Sequence, residues 1–180
     1  MEILDNVNKT VKDDLEKTVS KGDKISIAAA CFSIYAYETL KEQLRFVFTS
    51  PTFLQEKAPR EKREFYIPQL NRERSLYGTE FEVKLRNELN QKAIARECAE
   101  WIKKKVHFRS NVTGGSMGGF MSVEKPSETI AYSPLNAFTT SDLGYERGNN
   151  IMNLVNRIDT PLADEYVKMF NQVWNDKNVL

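Results

Sequence analysis

The run Ile25-Ser26-Ile27-Ala28-Ala29-Ala30-Cys31-Phe32 is almost continuously apolar. That is the pattern of a strand covered on both faces, and it places the strand at the centre of a parallel sheet. Downstream, Tyr37, Leu40 and Leu44 mark a short helix. Phe46-Val47-Phe48-Thr49 then reads as a strand, stopped by Ser50-Pro51. Strand, helix, strand is a βαβ unit, for which a right-handed crossover is expected.

The other elements follow from period and punctuation. Leu4, Val7, Val11 and Leu15 recur at helical spacing, so residues 3–21 are expected to form an amphipathic helix closed by Gly22. Residues 54–78 show no clean period and mix Arg60, Lys62, Arg63, Arg72 and Arg74 with glutamates, which reads as a loop-rich solvated excursion. Thr79-Glu80-Phe81-Glu82 is a capping box. The helix it opens runs through Phe81, Leu85 and Leu89, shifts its stripe near Asn90, and continues through Ile94, Cys98 and Trp101 to Lys103-Lys104-Lys105. Cations in a last turn meet the negative end of the helix dipole, which is enough to explain that triplet; a phosphate contact is the functional alternative. Val106-His107-Phe108-Arg109 alternates as a half-buried strand.

The segment Gly114-Gly115-Ser116-Met117-Gly118-Gly119 holds four of the eight glycines. It lacks the Gly-Lys-Ser/Thr ending of a phosphate loop and reads as a connection between strands. After it come a strand at Phe120-Met121-Ser122-Val123, a turn at Lys125-Pro126-Ser127 and a strand at Thr129-Ile130-Ala131-Tyr132. A polar loop from Ser133 to Gly144 leads to a strand at Ile151 to Val155. Thr160 as N-cap and Pro161 at the first helical position open a last helix with an apolar stripe through Leu162, Tyr166, Met169, Phe170, Val173 and Trp174.

A chain of 180 residues with 41% hydrophobic content is expected to form one domain. Its 26 basic and 25 acidic residues nearly cancel, so no global field announces a nucleic acid or a membrane. There is no secretory leader pattern, and no apolar run approaches the ~18 residues of a membrane helix, so a cytoplasmic location and no membrane partner are expected. Cys31 and Cys98 read as buried free thiols.

The stretch from Phe120 to Leu154 resembles the phospholipase D-like superfamily, in particular the nuclease-like domains at the N-termini of bacterial helicases. Phe138-Thr139-Thr140-Ser141-Asp142-Leu143-Gly144 fits the family's Asn-Phe-Thr-x-x-Gly-Leu portion, with Ala137 at the Asn position and Asn136 one residue displaced. Asn150 to Leu154 fits its last strand. The positions of the family's His-x-Lys fall on Ser122 and Glu124. The resemblance implies an α/β fold with a mixed, largely parallel central sheet flanked by helices on both faces. It also implies that residues 1–180 are a single domain, the N-terminal fragment of a longer helicase.

In that family a histidine attacks phosphorus and a lysine stabilises the charge. A serine without a base is a weak nucleophile and a glutamate repels phosphate, so the resemblance implies the fold without the catalysis. His107, the only histidine, reads as an edge-strand residue; zinc catalysis and a serine triad lack their ligands and motif, and no metal or cofactor is expected. The leading expectation is a degenerate domain that docks, or weakly binds nucleic acid, DNA foremost, for a helicase core. Its contacts would be Lys103, Lys104, Lys105, Arg109, Ser133, Asn136, Thr139, Thr140 and Ser141. The alternatives are an active phosphodiesterase built around His107, Glu124 and Asp142, and a homodimerisation module.

Overall fold

The computed structural model describes residues 1–31, 33, 43–49, 91–111, 115–146 and 153–177. Their elements are β1 (Glu2–Leu4), α1 (Val11–Thr18), β2 (Lys24–Ala29), β3 (Gln43–Phe48), α2 (Gln91–Lys105), β4 (Val106–Ser110), β5 (Phe120–Glu124), β6 (Thr129–Ser133), β7 (Val155–Asp159) and α3 (Leu162–Asn175). The strands form one sheet in the order β1-β7-β6-β5-β2-β3-β4. Of the helix marked by Tyr37, Leu40 and Leu44, the first two residues lie outside the described residues, whereas Leu44 belongs to β3, which starts at Gln43 and not at Phe46. The capping box at Thr79, the excursion at 54–78 and the kink at Asn90 also lie outside the described residues.

Parallel pairing is confined to β2 with β3 and β3 with β4. The other four pairings are antiparallel. The largely parallel sheet flanked by helices on both faces is therefore corrected to a mixed, mostly antiparallel sheet in which strands dominate, with three helices among the described residues. Connection length supplies the reason. Parallel neighbours need a long crossover, whereas the tight turn after β5, closed by Lys125 N–H donating to the Glu128 carbonyl at 2.9 Å, can only reverse the chain. The apolar run at β2 is central, but burial of both its faces did not require parallel neighbours on both sides.

The helix expected over 3–21 forms only from Val11, because Asp5 takes the backbone ahead of it. Its Oδ1 accepts from the N–H groups of Val7, Asn8 and Lys9 at 2.9, 2.8 and 3.0 Å. A side chain that satisfies three amides at once offers the chain a turn instead of a helix. Leu4 is left to pair with Val155 in the sheet. Thr10 caps α1 by accepting from Asp13 N–H at 3.0 Å. Helix α1 ends at Thr18, and Gly22, with φ +97°, turns the chain into β2 and does not cap the helix.

Of the strand expected at 151–155, Ile151 and Met152 lie outside the described residues and Asn153 and Leu154 are not in a strand; β7 runs from Val155 to Asp159. The last helix likewise starts one residue late, at Leu162. Thr160 does not cap it in the expected way: its hydroxyl accepts from Thr129 N–H at 2.9 Å and so serves the sheet.

Strand alternation sorts the core into two layers. Ile25, Ile27, Leu44, Phe46, Met121, Val123, Ile130 and Tyr132 pack with Val11 and Leu15 of α1 and with Cys98 and Trp101 of α2. Ala28, Val47 and Phe120 face the other way and meet Phe170, with Tyr166 and Trp174 alongside. Phe120 anchors α3 through ring contacts to Tyr166 at 5.2 Å and Phe170 at 6.4 Å, both near edge-to-face. Fully burying a side chain such as Phe170 is worth about 1.5–3 kcal/mol.

Candidate functional site

Register decides which loops can cooperate. Ala28 pairs with Phe120, Phe48 with Ser110 and Met121 with Tyr132, so the ends of β2, β3, β4 and β6 gather at one edge of the sheet with the start of β5. At that edge residues 115–119 cross beside α3. Between them lies a groove of about 550 Å³ lined by Met117, Gly118, Phe120, Ser133, Tyr166, Met169 and Asp176, among others.

The two glycines there differ. A Cβ on Gly119 would stand 2.2 Å from the Leu135 carbonyl oxygen, so only glycine lets this segment close on the loop after β6. Leu135 N–H donates to the Gly119 carbonyl at 2.8 Å across the same approach. A Cβ on Gly118 would meet nothing within 4 Å.

Ser122 and Glu124 lie further down β5, beneath α3. Ser122 pairs with Ser26 of β2, and both are fully buried. Arg45 of β3 donates through Nη2 to Ser26 Oγ at 2.7 Å, through Nη1 to Asn171 Oδ1 at 2.8 Å and through Nη2 to Glu124 Oε1 at 3.0 Å. Lys24 Nζ stands 3.5 Å from the same Glu124 oxygen. The Arg45 guanidinium lies 4.9 Å from the centre of the Phe170 ring. Burial pulls the Arg45 pKa down and Glu124 pulls it back up. Among the described residues Ser122 Oγ has no hydrogen-bond partner. Two cations, Arg45 and Lys24, share the one Glu124 carboxylate, and Arg45 is covered by the Phe170 ring, so the cluster can hold a helix in place, while Ser122 has no hydrogen-bonded base among the described residues.

The polar loop is occupied with its own structure. Thr139 Oγ1 donates to Asp142 Oδ2, Ser141 Oγ stands 3.0 Å from Thr139 Oγ1, and Thr140 Oγ1 donates to Glu146 Oε1 at 3.2 Å. Asn6, at φ +52°, clips the loop to the start of α1. Its Nδ2 donates to the Asp142 carbonyl and its Oδ1 accepts from Val11 N–H, each at 2.8 Å. Gly144, at φ +81°, makes room for that clip, since a Cβ there would stand 2.7 Å from Asn6 Oδ1.

Of the remaining sequence-derived candidates, Ser133 lines the groove and Asn136 is exposed, its carbonyl accepting from Ala30 N–H at 2.8 Å. Lys103, Lys104 and Lys105 end α2 just before Val106, which pairs with Leu44 at the start of β3. The triplet is thus at the opposite end of the strands from the polar loop. Arg109 lies between, its Nη1 donating to the Trp174 carbonyl at 2.5 Å and its guanidinium 5.1 Å from the Trp174 ring. His107 is exposed on β4, the edge strand, opposite Arg45 in register. Sequence reasoning missed Arg45 and Asn6. Arg45 left one signal, a charge inside the apolar run from Leu44 to Phe48, which in a strand needs a partner on its own face.

No family model matches the chain, and no curated protein matches it.

Proposed function

We propose that this chain is a phospholipase D-like domain without the family's chemistry, acting as a docking accessory, in the resembling proteins to a helicase or translocase. One observation carries the reading. Of the positions that the resemblance aligns with the family's nucleophile and charge-stabilising residues, Ser122 is buried with no hydrogen-bond partner among the described residues, and Glu124 is paired with Arg45 and Lys24 beneath α3. Phosphoryl transfer needs a nucleophile with an adjacent base and an unneutralised cation facing the phosphate. A buried serine with no base supplies no nucleophile, and Arg45 and Lys24 are both engaged by the Glu124 carboxylate that stands where the family has its lysine.

Docking is favoured over nucleic-acid binding because the basic and hydroxyl groups do not converge: the lysine triplet and the polar loop lie at opposite ends of the sheet. The nucleic-acid reading keeps one observation of its own, the exposed Lys103 and Lys104 at the end of α2. Two measurements separate these readings. Turnover of bis(p-nitrophenyl) phosphate with and without Mg²⁺ is expected to stay at background, and turnover that disappears in His107→Ala would overturn the inactive reading. Fluorescence anisotropy with short DNA at low salt is expected to show no salt-sensitive binding; binding that weakens with salt and is lost in the Lys103→Ala/Lys104→Ala double variant would replace docking with nucleic-acid recognition.

A further inference from the structure

We draw no further inference here: the strongest candidate, the exposed apolar surface patch of Met1, Ile3 and Leu154 along the edge strand β1 and the start of β7, is an unpartnered face, and nothing in the structure shows what covers it.

Discussion

Arg45 of β3 reaches across the whole width of β2 to Glu124 of β5, closing a 3.0 Å ion pair between two strands that are not neighbours. The bridge spans the buried pair Ser26 and Ser122 and is covered by Phe170 of α3. It joins the parallel part of the sheet to the antiparallel part, and it also ties α3 down through Asn171.

Removing one partner should therefore cost more than a surface pair would. Arg45→Ala is expected to lower stability by about 2–3 kcal/mol in urea unfolding, short of the largest losses for a fully buried pair because Glu124 remains 25% exposed. Glu124→Gln, which keeps an acceptor for Arg45, is expected to cost about 1 kcal/mol. Equal small losses for both would show that the bridge contributes nothing.

The adjacent glycines should behave as opposites. Gly119→Ala forces a methyl against the Leu135 carbonyl and is expected to destabilise by about 2 kcal/mol or more, the cost of overpacking against backbone that cannot move aside. Gly118→Ala is expected to stay within about 0.5 kcal/mol of the parent, as unconstrained surface changes do. Thermal melts of the two variants side by side read the difference.

The Cys98 thiol is pushed up to about 11 by burial first and by the neighbouring Glu97 second, from an ordinary value of 9.0. The folded state then holds the thiol proton more tightly than the unfolded chain does. The associated stability is full below pH 9 and is lost as pH rises toward 11. Urea midpoints are expected to fall across that window in the parent and to fall less in Cys98→Ala. Ellman's reagent at pH 8 is expected to label Cys98 only on unfolding, since the thiolate is the reactive form.

Asp5 shows the opposite sign. Hydrogen bonds from the backbone amides of Lys9 and Val7, and from Asn8, hold its carboxyl well below the usual carboxylate range. Its contribution is present above the unfolded value near 3.8 and disappears as pH falls through and below it. Asp5→Ala is expected to destabilise the protein at pH 7 and to flatten the acid limb of its stability curve. An unchanged acid limb would mean that the turn before α1 forms without this side chain.

Element types were largely legible in the sequence, and element directions were not. The apolar run at β2, the alternation at β4, the paired runs at β5 and β6 and the stripe of α3 each announce a local state through the period of their apolar residues. Boundaries slipped wherever a side chain took over backbone hydrogen bonding, as Asp5 does ahead of α1 and the Thr160 hydroxyl does ahead of α3. The candidate site was legible only as residue types. Thr139, Ser141 and Asp142 looked available for a ligand because sequence spacing shows hydroxyls and carboxylates without showing that they bond one another.

From the sequence alone came what depends on neighbours a few residues away, strands against helices, together with the absence of a second histidine for catalysis. Tertiary structure alone decided that β5 runs antiparallel to β2, that Arg45 meets Glu124, that the lysine triplet and the polar loop occupy opposite ends of the sheet, and that a groove opens beside Gly118. These depend on register and strand order, which are set by the summed burial of both sheet faces and leave no mark on any single segment.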